Sequence, residues 1–280
     1  MKASARQGWL LLLPALVMLV ALFYLPQLLM FVVSLGRRSA YGTVVQDVSA
    51  GNYARAFEPL YLMVLGRSLV LATATTVLCL LIGYPVAWWL ARRVAPKWRN
   101  ALLVLVILPF WTSFLVRMYA WIVLLRSDGV VNAGLVAIGL PQVELLYNDF
   151  AVLLGQVYGE LPFMMIPLYL SLEKLDPGLL EAAADLGAGF RESFRRVVVP
   201  QTMPGIVAGC VLVFIPSLGA YLAPDLLGGG RTAYIGNLIQ SQFVVARDMP
   251  FGAALSFVLS LVVGLLLLLL RRSLQSAQSV

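Results

Sequence analysis

The chain has 280 residues, 61% of them hydrophobic and only 12% charged, whereas a soluble domain carries about 25% charged residues; this is the composition of a polytopic membrane protein. Its formal charge of +7 suits basic cytoplasmic loops and argues for neither nucleic acid nor acidic ligands. It has no histidine, which removes histidine catalysis, most zinc sites and histidine-ligated haem.

In chain order, Lys2 and Arg6 precede a charge-free run over residues 7–36. A signal peptide has an apolar core of only about 7–15 residues, so this run reads as a retained first span, with kinks expected at Pro14 and Pro26. A mixed polar loop follows over 37–67, where Tyr53, Phe57 and Tyr61 suit an interfacial helix. The second span is expected over 68–91, with Pro85 near its end and Trp88-Trp89 at the interface. Arg92, Arg93, Lys97 and Arg99 form a short basic loop. The third span, 101–125, is interrupted by Pro109 and contains Arg117. The loop 126–149 includes an apolar piece, 130–140, too short to cross. The fourth span, 150–172, holds Glu160 and Pro162. The fifth covers 201–224. A glycine-rich loop and a helix over 232–245 lead to the sixth, 250–270, which ends at Arg271-Arg272.

A bilayer core takes about twenty apolar residues per helix, and all six runs reach that length. The expectation is an all-α membrane protein with six transmembrane helices. With the N-terminus inside, the inner segments hold most of the 20 lysines and arginines, which predicts that both termini are cytoplasmic. Cys79 and Cys210 fall inside spans and read as small buried residues rather than a disulfide. Trp9, Trp88, Trp89 and Trp98 suit an interfacial belt.

One stretch departs from the apolar background. Residues 173–205 carry Glu173, Lys174, Asp176, Glu181, Asp185, Arg191, Glu192, Arg195 and Arg196 between two spans. Its centre, Glu181-Ala182-Ala183-Ala184-Asp185-Leu186-Gly187, favours a helix that ends where Gly187 permits positive φ. Residues 190–198 suit a second short helix, and Pro200 predicts a boundary. The spacing resembles the cytoplasmic "EAA" loop of type I ABC importer permeases: Glu-Ala-Ala, three residues, Gly, nine residues, Ile, one residue, Leu-Pro. Glu181, Ala182, Ala183, Gly187 and Pro200 fall in register, while Val197 and Val199 stand in for the Ile and Leu.

The resemblance extends to the spermidine/putrescine branch, and to the first of its two permeases, through Asn52-Tyr53, Gly83-Tyr84-Pro85, Leu161-Pro162-Phe163-Met164, Phe214-Ile215-Pro216, Ile235-Gly236-Asn237 and Pro250-Phe251-Gly252. It implies a six-helix type I permease fold in a bacterial inner membrane. Residues 1–66 would be the first helix and outer loop. Residues 67–272 would be the five-helix transmembrane domain, with the EAA loop at 173–204, and 273–280 a polar tail. It further implies a transport subunit rather than an enzyme, translocating a polyamine by alternating access. The implied partners are ATPase subunits docking at the EAA loop, a second homologous permease, an external solute-binding protein and membrane lipid. ATP and Mg would be bound by the ATPase and no cofactor by this chain. The residues agree on that point: a P-loop needs Gly-Lys-Ser/Thr, and none of Lys2, Lys97 and Lys174 follows a glycine. The alternatives are the same machine carrying an amino acid, an opine or an iron complex, or an ion-coupled secondary transporter, which would show broken-helix repeats. An intramembrane enzyme would need a nucleophile and base that no motif here supplies.

Two charges fall within spans, where ionisable groups cost about 2.5–3.5 kcal/mol on insertion scales and mark pathways or paired sites. Glu160 either faces a translocation path for a cation, with Tyr158, Trp111 or Tyr119 adding cation–π contact, or pairs with Arg117. Arg117 is a further path candidate, or else snorkels outward. Asp225, at the outer end of the fifth span, suits a helix-terminal cap. Arg191, Arg195 and Arg196 suit lipid headgroups.

Overall fold

The computed structural model describes residues 5–39, 43–45 and 47–278. Lys2 and the last two residues of the polar tail lie outside them. For Arg6, Trp9, Arg271 and Arg272 only the backbone is described.

Helices follow one another almost without pause. α1 (Ala5–Leu19) passes through a π-helical turn, Val20–Tyr24, into α2 (Leu25–Ser34). A two-residue hairpin, β1 (Arg37–Arg38) with β2 (Val44–Val45), leads to α3 (Gly51–Ala56) and the long α4 (Pro59–Arg92). Next come α5 (Pro96–Ile107), a 3₁₀ turn at Leu108–Trp111, α6 (Phe114–Leu125), α7 (Val130–Ala137) and α8 (Asp149–Glu173). The charged loop holds α9 (Pro177–Asp185) and α10 (Phe190–Ser193). A second π-helical turn, Phe194–Val198, joins α10 to α11 (Val199–Gly219). α12 (Leu222–Gly228), α13 (Ile235–Val244) and α14 (Met249–Gln278) complete the chain.

Among the described residues six stretches are long and apolar enough to span: Leu12–Ser34, Pro59–Arg92, Phe114–Ala137, Asp149–Glu173, Phe190–Gly219 and Met249–Leu269. Their number agrees with the sequence, but several boundaries do not. The segment 37–67 is not simply a loop. It forms the hairpin, α3 and the first turns of α4, whose 34 residues exceed what a core of about 30 Å requires at 1.5 Å per residue. Arg67 is therefore helical.

The third span is divided. Pro109 sits in the 3₁₀ turn, and Thr112 and Ser113 are extended, with ψ of 151° and 135°. The apolar stretch Phe114–Ala137 includes the turn at 126–129, where Arg126 pairs with Asp128 at 2.9 Å. Eight-residue α7 is about 12 Å long and cannot cross alone. The fifth helix ends at Gly219 rather than 224, and the helix expected from 232 starts at Ile235, where Asn237 Oδ1 accepts from Tyr234 N at 2.8 Å.

Pro200 does not end a helix. The chain stays helical from Phe190 to Gly219, because the π turn before the proline carries bonds five residues back, as in Val199 N to Phe194 O. That wider turn makes room for a ring with no N–H to offer. The same device precedes Pro26, where Leu25 N bonds Val20 O.

Two compact units emerge. One contains residues 1–63 and 238–280. In it α14 packs on α2 and α3, and Asn52 Nδ2 donates to the carbonyls of Ser34 (2.9 Å) and Gly36 (2.8 Å) at the end of α2. The other unit, 64–237, holds two apolar cores. The first gathers Cys79, Leu90, Met164, Leu168, Leu172 and Val213 from α4, α8 and α11. The second gathers Leu71, Met118, Ala151, Val152, Ala223 and Leu227. Close helix approach comes from small residues at four-residue spacing. A Cβ at Gly209 on α11 would lie 2.7 Å from Met164 Sδ, and one at Gly205 would strike Ser171 and the Pro167 carbonyl on α8. On α8, Gly155 and Gly159 open the opposite approach, toward Met118 and Phe114 of α6.

Candidate coupling loop and intramembrane cation site

The loop at 173–204 is built from local rules. Asp176 caps α9, accepting from Gly178 N at 2.9 Å, and Pro177 takes the first turn, where its missing N–H is harmless. At the other end Gly187 adopts φ 80°. Gly187 N bonds Ala184 O (2.9 Å) and Ala188 N bonds Ala183 O (3.0 Å), the paired bonds of a Schellman cap. Leu180 and Phe194 pack on the first apolar core and fix the loop to α4 and α8.

What remains faces outward. Glu181, Ala182, Gly187 and Pro200 are exposed and Ala183 is half-buried. Arg191, Arg195 and Arg196 are also exposed, with Arg196 paired to Glu192 at 3.0 Å. Sequence reasoning did not single out two apolar side chains as contacts here: Leu186 is 89% exposed and Phe190 72%. Two large apolar residues flanking a glycine turn in a charged stretch are the signal that reveals them.

The second candidate site lies between α6 and α8. The Arg117 guanidinium lies 4.6 Å from the ring centroid of Phe110, 5.4 Å from that of Phe114 and 5.8 Å from that of Tyr158. Trp121 meets the Tyr158 ring edge-on at 5.6 Å, and Phe110 stacks on Tyr158 at 5.7 Å. Gly159 allows this arrangement, because a Cβ there would lie 2.7 Å from the Phe114 ring.

Arg117 and Glu160 do not form an ion pair among the described residues. Arg117 Nε and Nη1 and Glu160 Oε2 are each buried without a hydrogen-bond partner. Glu160 is 9% exposed, and Pro162 brings no N–H to the Tyr158 carbonyl four residues before it.

Tyr158 and Arg117 are thus brought together, and Trp111 and Tyr119 are not part of the cluster. Trp111 is 83% exposed and Tyr119 52%. Tyr119 is two residues from Arg117, about 200° around a helix, whereas Phe114 and Trp121, at three and four residues, share its face. That spacing marks the two rings the sequence reading passed over. Asp225 lies exposed in the first turn of α12. Thr75 Oγ1 on α4 and Ser217 Oγ on α11 are also buried without partners.

Residues 83–277 match the family described as the binding-protein-dependent transport system inner membrane component. The chain belongs to that family. It is 45% identical over 257 residues to the spermidine/putrescine transport system permease protein PotB of Salmonella typhimurium strain LT2, covering 91% of this chain and 89% of that one. Against the protein of the same name from Escherichia coli strain K12 it is 44% identical, covering 91% and 93%. The crystal structure of a bacterial ABC transporter involved in import of the acidic polysaccharide alginate superposes with a TM-score of 0.75 at 19% identity, covering 96% of both chains. A second structure, of the alginate transporter in complex with a periplasmic protein bound to an alginate pentasaccharide, gives 0.78, covering 94% of this chain and 93% of that one. The six-helix type I importer fold expected from the sequence is therefore the fold of this chain, a multi-pass inner-membrane transport component.

Proposed function

We propose that this chain is a permease subunit of an ATP-driven importer that carries a polyamine, spermidine or putrescine, across the inner membrane by alternating access. One observation carries the substrate class: identity of 45% to a protein named as a spermidine/putrescine permease, over nearly all of both chains. The buried, unpartnered carboxylate of Glu160 suits that chemistry, since a dehydrated ammonium needs carboxylates, carbonyls and ring faces in place of water. ATP and Mg belong to a separate ATPase, which docks on the exposed surface of α9 around Glu181, Ala182, Ala183, Gly187 and Leu186. A second permease and a solute-binding protein complete the assembly, and both termini are cytoplasmic.

Uptake of radiolabelled putrescine into proteoliposomes holding the full complex tests the reading. ATP-dependent accumulation is expected, and uptake of alginate or amino acids with no polyamine uptake would refute it. Gly187→Leu tests the docking surface. A side chain at φ 80° opposes the turn by about 1–2 kcal/mol, so the variant is expected to insert normally and lose ATPase co-purification or uptake. Full transport by Gly187→Leu would remove the loop from coupling.

A further inference from the structure

We propose that the basket of Phe110, Phe114 and Tyr158 is a binding site for a primary ammonium group, and that Arg117 fills it as a tethered placeholder which the substrate displaces. The proposal deepens the polyamine reading above and rests on it.

Three ring faces within 5.8 Å of one guanidinium make a site for a cation rather than a packing contact for an aliphatic stem. An arginine kept only for structure uses its fork to bind acceptors. Arg117 leaves Nε and Nη1 buried and unbonded, so no hydrogen bond from those two nitrogens fixes its side chain against the rings. One acceptor that an ammonium can use lies two residues along α8 from Tyr158. Glu160 Oε2 is buried without a partner, and the Tyr158 carbonyl has no N–H from Pro162. A compact ammonium has three donors, and ring faces with a carboxylate are the groups that replace its water. Arg117 and an incoming ammonium cannot share the basket, because like charges at such separations repel strongly away from water.

The basket also spans the break in the third membrane segment. Phe110 belongs to the 3₁₀ turn, whereas Phe114 and Arg117 belong to α6, with the extended residues Thr112 and Ser113 between them. Rotation at that joint separates Phe110 from Phe114 without bending a helix. The site therefore opens at a joint where Thr112 and Ser113 are extended rather than helical.

The test is the KM for putrescine of the full complex in proteoliposomes. A placeholder lowers apparent affinity by the fraction of time it occupies the site, so Arg117→Gln is expected to lower KM about tenfold with uptake at saturation retained. Adding Phe114→Leu to Arg117→Gln is expected to return KM to the wild-type value or above, because the released site then lacks a wall. If KM is unchanged in Arg117→Gln, or stays low in the double variant, the first result denies the placeholder. The second reduces Arg117 to a distant repulsive charge. Either overturns the proposal.

A second measurement covers the case in which Arg117→Gln does not assemble. Trp121 touches Tyr158, so putrescine titrated into the detergent-solubilised wild-type complex is expected to change tryptophan emission saturably, with no change in Trp121→Phe. A complex that transports putrescine with no Trp121-dependent change overturns the proposal. If the wild-type complex takes up no putrescine, the polyamine reading fails separately. The emission titration with methylammonium chloride then decides the basket alone, a saturable Trp121-dependent change upholding it and none overturning it.

Discussion

Arg55 and Arg117 are both arginines held against aromatic rings, and they differ in what their N–H groups find. Arg55 lies 3.8 Å from the Phe251 ring centroid. It bonds Asp248 Oδ2 at 3.0 Å and the Tyr61 hydroxyl at 3.2 Å. Asp248, 7% exposed, spends its other oxygen on Phe251 N at 3.3 Å. Every strong group in that cluster has a partner inside one compact unit. Around Arg117 the rings are present but Nε and Nη1 bond no acceptor, and Glu160 Oε2 bonds no donor. A closed set of partners fastens α3 and the start of α4 to α14. An open set has capacity left for something that is not part of the chain.

The contrast breaks most readily at Glu160. Glu160→Gln keeps the shape and removes no ion pair, so the melting temperature in detergent is expected to move by less than about 2 °C. Polyamine uptake is expected to fall about tenfold or more, equivalent to about 1.4 kcal/mol of lost stabilisation along the path. Marked destabilisation rescued by Arg117→Gln would mean that the two charges are partners after all. Asp248→Ala should behave in the reverse way. Losing a charge-assisted bond to Arg55 and the bond to Phe251 N is expected to cost about 2 kcal/mol, read as a lower melting temperature, with uptake per folded complex unchanged. Loss of transport in a fully stable Asp248→Ala protein would place that cluster on the path as well. The smallest effect belongs to Gly159→Ala. Its methyl group meets the Phe114 ring edge, so overpacking of about 1 kcal/mol is expected, and a shifted ring should change the putrescine KM about twofold through a weakened cation–π contact. No change in either measurement would show that Phe114 yields without consequence.

The helical spans were legible because length and apolarity are local properties. Arg67 was read as loop because an apolar window ends where the bilayer does, while α4 continues into the polar zone. The charged loop at 173–204 was legible for the same local reason: Asp176, Pro177 and Gly187 state where α9 starts and stops. The intramembrane site was legible only in its charges. That Arg117 and Glu160 fail to pair depends on how α6 meets α8, which one chain read in order does not disclose. The helical spacing of Phe114, Arg117 and Trp121 was available, and Tyr119 was preferred over Phe114 and Trp121 against it.

The π turn at Phe194–Val198 also acts as a protractor. Buried positions recur along this segment at Ser193, Val198, Thr202, Gly205, Gly209, Val213 and Ser217. The spacing is five across the turn and three or four everywhere after it. One surplus residue is thereby absorbed without rotating the buried stripe. Each residue of an α-helix turns the chain by about 100°, so deleting one of the five would swing α10, Phe190 and the α9 knuckle around the axis of α11 by about that angle. The bearing of the loop relative to its membrane helix is thus set by a single residue, and the wider winding suits the Pro200 ring, which has no N–H to bond the carbonyl four residues back.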